Sequence, residues 1–227
     1  MKRKCKCNTI QVDPHARIDY NKGQTQRKGG RGMELLKQKI RECGKALNEH
    51  VLLVDMFLNH QVDCELMDEI GKEFKRLFAR DGVTKVVTIE SSGIAPAAMT
   101  ARRMGVPMVI LKKATSVILD GGIVQTEVFS FTKRTSYQLT LKQQFISPED
   151  RVLVIDDFMA NGEAAMGAAK LVERAGGKVV GIGTVISKNF QPGMKKLADA
   201  GYKVRSLAEI EAMGDGFVKF VGDGEDA

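Results

Sequence analysis

Residues 151–167, RVLVIDDFMANGEAAMG, place two adjacent carboxylates between a short apolar run and a turn of small residues. Val152, Leu153, Val154 and Ile155 read as a strand buried on both faces of a parallel sheet. Asp156 and Asp157 then fall at its carboxyl end, where open α/β sheets bind their ligands. A ribose offers two neighbouring hydroxyls, and paired carboxylates accept hydrogen bonds from both while balancing a nearby Mg²⁺. Ala160, Asn161, Gly162, Glu163 and Ala164 follow, mostly small enough for backbone N–H groups to close around a phosphate where the helix dipole favours negative charge. A diol on one side and a phosphate on the other describe phosphorylated ribose. An acidic pair can also be a solvated strand end, but strand, acids, small turn and helix occur here together. Neighbouring side chains on an extended strand point to opposite faces, so both acids reach one ribose only if the chain is already turning at Asp156.

A second turn repeats this logic. Ser91, Ser92 and Gly93 follow an apolar run at 85–90 and precede a Pro-containing helix, a second backbone nest for anions or an ordinary tight connection. Lys188 follows the run at 178–187, so it too lies at a carboxyl edge, where an ammonium can donate to a purine carbonyl. Phe158 packs either on a purine face or simply in the core. Lys112, Lys113, Lys133 and Arg134 are cations for a pyrophosphate or solvated surface charge.

The elements that must position these residues read as one α/β domain. An amphipathic helix is expected over 33–48, with Leu36, Ile40 and Leu47 inward. A second follows Asp63 as N-cap, its stripe made by Leu66, Ile70, Phe74, Leu77 and Phe78, with Asp81-Gly82 as the stop. Pro96 should open the next helix at its first position and Gly105 close it before a strand at 108–111. Residues 112–144 lack a helical stripe, alternate only patchily and read as an extended, mobile flap. A βαβ unit follows from strand 152–155, helix 163–175 and strand 178–187, then a helix near 194–200 and short strands near 203–207 and 217–221.

The segment VLVIDDFMANGEA resembles the ribose-phosphate motif of the type I phosphoribosyltransferases, which use phosphoribosyl pyrophosphate (PRPP). VDMFLNHQVD, IESSGIAPA, FSFTK and VISKNFQPG are similar to segments of the xanthine-using members, in the same order and at similar spacing. The resemblance runs from about Met33 to Phe220. It implies a mainly parallel sheet flanked by helices, a hood built partly from the amino-terminal segment, and a flexible flap. It further implies transfer of phosphoribose from PRPP to xanthine for purine salvage, with Asp156 and Asp157 catalytic and residues 160–164 on PRPP. Ser91, Ser92 and Gly93 would face pyrophosphate, while Lys188, Asn59 and the backbone around Leu52 would contact xanthine. Mg²⁺ would be held mainly by PRPP oxygens, with no protein metal site, and the molecule would be a homodimer. Hypoxanthine-guanine relatives carry an acid in the turn where Ala160 stands, which counts against that alternative and leaves the general base unassigned. A PRPP-sensing purine regulator would need a DNA-binding domain, and too few residues precede the first central strand for one besides the hood.

At 227 residues with 43% hydrophobic and 28% charged residues, composition is that of a globular protein. The net charge of +7 lies wholly in residues 1–32, which hold nine Lys or Arg against two acids; the remainder balances at 26 each. That segment lacks apolar periodicity and reads as a disordered basic extension, a start-site artefact or an expression remnant, with 33–227 as the single domain. Neither specific nucleic-acid binding nor membrane insertion is expected, and a cytoplasmic location follows from the lack of an apolar signal segment. Four cysteines and three histidines show no zinc pattern and no triad.

Overall fold

A computed structural model describes residues 31–113, 122–130 and 135–223. The basic extension up to residue 30, and the expectations for Lys133 and Arg134, lie outside the described residues. Helix α1 spans Arg31–Cys43, α2 Cys64–Leu77, α3 Ile94–Met104, α4 Glu163–Arg174 and α5 Gly193–Asp199. Strands β1 (Lys45–Ala46) and β2 (Leu52–Leu53) form a small antiparallel pair in the hood. Six strands build the central sheet: β3 (Lys85–Ile89), β4 (Met108–Leu111), β7 (Arg151–Met159), β8 (Lys178–Lys188), β9 (Val204–Gly214) and β10 (Phe217–Phe220). Their order is β10-β9-β8-β7-β3-β4, parallel except for the β9–β10 edge. Among the described residues no helix is long and apolar enough to cross a membrane.

The apolar run of β7 is divided between two cores. Leu153 and Ile155 pack toward α1, α2 and α3, while Val152 and Val154 pack toward α4 and α5, and all four are fully buried. This is why the run is continuous rather than alternating. Asp63 caps α2 as expected, its side chain accepting from the Leu66 N–H. Gly71 lets α2 approach α3, because a Cβ there would meet the Met99 backbone at 2.7 Å.

Four elements differ from expectation, each for a local reason. Helix α1 stops at Cys43, and Leu47 is exposed rather than inward; Asn48 Oδ1 accepts from the N–H groups of His50 and Val51, folding a side-chain turn that competes with the helix. Pro96 is the third residue of α3, not the first, which costs no hydrogen bond because the first-turn N–H groups have no helical partner. Strand β9 runs on to Gly214 because Asp215-Gly216 makes a two-residue hairpin into β10, with Gly216 at φ +76°. The expected flap contains two regular strands, β5 (Ile123–Ser130) and β6 (Thr135–Lys142), paired antiparallel along their whole length. Val128, Leu139 and Leu141 are its buried face. Its alternation was hidden because Thr126 fills an inward position, its methyl carbon near α4. The hairpin seats on α4 at Gly167, where a Cβ would stand 2.5 Å from Val128 Cγ2.

Candidate active site

Strand β7 remains paired with β8 through Asp156↔Thr184, Phe158↔Ile186 and Met159↔Ser187, so the chain does not turn at Asp156. The acids come together another way: the Asp157 N–H donates to Asp156 Oδ1 at 3.0 Å, bending the Asp156 side chain forward along the strand, and the two carboxyl groups lie within hydrogen-bond reach of each other. Desolvation, then the charge of Asp157 and a hydrogen bond with it, push the Asp156 carboxyl well above the ordinary aspartate range; Lys113 opposes them more weakly. The pair therefore resists carrying two negative charges unless a positive partner lies beside it.

Asp156, Phe158 and all of residues 160–164 line one cleft of about 140 Å³. The turn that closes it depends on two glycines. Gly162 caps α4 with φ +82°, and a Cβ on it would meet Gly193 Cα at 3.0 Å. The Gly193 N–H donates to the Ala160 carbonyl at 2.9 Å, so the start of α5 buttresses the turn. Glu163, in the first turn of α4, is paired with Lys196 at 2.5 Å. The opposite wall comes from the hairpin, with Val128, Phe129 and Tyr137. Burial and then the nearby Asp156 charge raise the Tyr137 hydroxyl pKa.

The Ser91–Gly93 turn abuts the acid pair, since a methyl group on Gly93 would stand 2.9 Å from Asp156 Oδ1. The two cations before the hairpin separate in role. Lys112 is paired with Glu90 at 3.1 Å, and the Glu90 carboxylate also takes the Lys113 N–H, which holds its pKa below the usual range. The Lys113 ammonium lies 5.4 Å from the Tyr137 ring centroid, on the Asp156 side of the hairpin.

Lys188, at the end of β8, donates to the His50 carbonyl and lies 5.6 Å from the Phe158 ring centroid. Burial lowers its pKa from the ordinary lysine value. The structure thus gathers Lys188, Phe158 and the segment leading into Leu52, itself buried in β2. Asn59 is exposed at the end of a single π turn, Asp55–Asn59. Asp157 and Ser91–Gly93 flank the cleft rather than line it. Sequence reasoning missed Tyr137, Gly193 and Lys196. Only Gly193 had a visible signal, the Pro-Gly step four residues after Lys188.

A family profile described as phosphoribosyl transferase domain matches residues 61–212, which hold both acids, both turns and Lys188. The xanthine phosphoribosyltransferase 1 of Clostridium botulinum is 59% identical over 189 residues, covering 83% of this chain and 100% of the relative. The xanthine phosphoribosyltransferases of Clostridium acetobutylicum and Bacillus cereus are 56% and 51% identical over the same share of this chain, covering 100% and 96% of their own lengths. The chain belongs to the xanthine phosphoribosyltransferase family. Among solved structures, this phosphoribosyltransferase is similar to the adenine phosphoribosyltransferase of Thermoanaerobacter pseudethanolicus, with TM-score 0.64 and 21% identity over 78% of this chain and 99% of the other. The Giardia lamblia enzyme complexed with 9-deazaadenine gives TM-score 0.65 and 20% identity over 77% and 97%. At that identity the likeness is one of fold. His50, Leu52 and Asn59 lie ahead of the matched family span.

Proposed function

We propose that the chain transfers the 5-phosphoribosyl group of PRPP to xanthine, giving xanthosine monophosphate and pyrophosphate. The observation that carries this reading is the cleft that joins Asp156 and Phe158 to the turn at 160–164, with the Lys188 ammonium 5.6 Å from the Phe158 ring centroid. The names of the relatives support the choice of base.

In this reading, Asp156 and Asp157 accept hydrogen bonds from the ribose hydroxyls, and the N–H groups of 160–164 hold the 5-phosphate at the start of α4. Ser91, Ser92 and Gly93 cradle the pyrophosphate, helped by Lys113. The bond from the anomeric carbon to pyrophosphate breaks with its electron pair on the leaving oxygen, and a nitrogen of the xanthine anion, its proton already lost to solvent, forms the new bond. Lys188 donates to a xanthine carbonyl and favours the anionic base, so no protein general base is required. Asn59 and the backbone at Leu52 complete the base site. The β5–β6 hairpin excludes water from an oxocarbenium-like transition state.

Mg²⁺ would neutralise the phosphate oxygens of PRPP. No group of three or more metal-type ligands exists among the described residues, and the acid pair, short of positive charge, suits a cation carried in by the substrate. We further read the molecule as a cytoplasmic homodimer whose catalytic domain is 33–227, the basic extension contributing no site residue; a variant lacking residues 1–30 should keep its turnover. The deciding experiment is pyrophosphate release with xanthine, guanine, hypoxanthine and adenine side by side. Xanthine should give the highest kcat/KM, and a preference for any of the other three would overturn the assignment of the base.

A further inference from the structure

Two buried side-chain polar atoms have no hydrogen-bond partner among the described residues: Gln191 Oε1 and Thr88 Oγ1. Thr88 is fully buried in β3, whose sequence Lys-Val-Val-Thr-Ile is otherwise apolar after its first residue. Valine has the same shape without the hydroxyl, and an unpaired buried hydroxyl is unfavourable, so the oxygen calls for a nearby partner that can turn toward it. Its place suggests which one. A methyl group on Gly93 would stand 2.5 Å from Thr88 Oγ1 and 2.9 Å from Asp156 Oδ1, so both oxygens flank one point beneath the Ser91–Gly93 turn. Glycine at 93 leaves that point without a side chain and both oxygens close beside it.

We propose that Thr88 is a positioning residue for Asp156, its hydroxyl donating to the Asp156 carboxylate once phosphorylated ribose occupies the cleft. The Asp157 N–H already takes Asp156 Oδ1 from one side, and the Thr88 hydroxyl supplies a second donor that fixes the carboxylate's rotation toward the ribose hydroxyls. This inference rests on the reading of Asp156 as a ribose acceptor.

The test compares Thr88→Val and Thr88→Ser with the full-length protein, in steady-state kinetics and in calorimetry with PRPP and Mg²⁺. Thr88→Val should lower kcat/KM for PRPP roughly tenfold, leave KM for xanthine at saturating PRPP unchanged, and melt no lower than wild type. Thr88→Ser should recover PRPP efficiency to within about threefold of wild type although it loses a buried methyl group. A Thr88→Val enzyme with wild-type efficiency, or a serine variant as poor as the valine one, overturns the proposal. If valine does not fold, serine against Thr88→Ala repeats the comparison, since both lack the methyl and differ only in the hydroxyl. The same substitution in an Asp156→Ala background should add no further loss, because both acceptor oxygens are gone; an undiminished extra loss also overturns it. Should Asp156→Asn alone turn over like wild type, the ribose reading itself fails, an outcome distinct from a silent Thr88→Val.

Discussion

The ammonium of Lys188 donates to the backbone carbonyl of His50, joining the carboxyl end of an inner strand of the central sheet to a hood segment 138 residues away in sequence. Two further donors on the same nitrogen remain for a base, and the Phe158 ring beside it offers an aromatic face. In the proposed reading, base recognition and hood position share one side chain.

Replacing Lys188 with Ala should damage xanthine use far more than PRPP binding. A charge-assisted contact is worth about 1.5 to 3 kcal/mol, so xanthine kcat/KM should fall roughly 10- to 150-fold. Calorimetric PRPP affinity should change little. Intact xanthine kinetics with weakened PRPP binding would move the lysine to the phosphate side.

Asp156→Asn should cost turnover on the order of 100-fold through lost transition-state electrostatics, yet raise the melting temperature near neutral pH. The folded Asp156 pKa lies above the ordinary 3.8. Between those values the folded protein holds more protons than the unfolded chain, so this carboxyl contributes stability at low pH that is lost as pH rises through the folded pKa. Asparagine has no such loss. Melting curves of both proteins from acid to neutral pH should diverge in that direction, and parallel curves would contradict the raised pKa.

Gly167→Val should unseat the hairpin, since even a Cβ at this position lies 2.5 Å from Val128. Overpacking costs about 1 to 3 kcal/mol, and because the hairpin supplies one wall of the cleft, kcat should fall along with stability. Unfolding by denaturant and turnover measured on the same preparation check both. A destabilised variant with full kcat would detach the hairpin from catalysis.

Asp150→Asn should do the reverse. Asp150 is buried at the other end of the sheet, where it accepts from Lys85 Nζ at 2.7 Å and from the Ser147 N–H at 2.7 Å. Desolvation alone would raise its pKa, but these partners together hold it below 3.8. Its contribution is therefore present above pH 3.8 and lost as pH falls through the depressed value. At pH 7 the substitution should cost about 1.5 to 3 kcal/mol, as the loss of hydrogen bonds to a charged group does, with kcat unchanged. A coincident loss of kcat would contradict this separation.

The parts of the fold that were readable in the chain are those coded locally. Asp63 before the Leu66–Phe74 stripe, the unbroken apolar run of β7 and the small turn after it need only neighbouring residues to be recognised. The hairpin escaped because Thr126 does an apolar residue's work with its methyl group, and that is evident only once Gly167 of α4 is seen against it. Within the site, Asp156 and residues 160–164 reach the same cleft from one short segment. Tyr137 and the Gly193 buttress come from other parts of the chain, and their roles depend on tertiary approach that no local pattern records.

The Asp150 cluster and the acid pair occupy opposite ends of strand β7. If Lys188 reads the base as proposed, selection can act on heat tolerance and on choice of base almost independently, one at each rim of the same sheet. A variant library confined to the Ser147–Asp150 rim should yield hardened enzymes of unchanged substrate range, while one confined to the Lys188 rim should diversify specificity from a scaffold that need not be strengthened first.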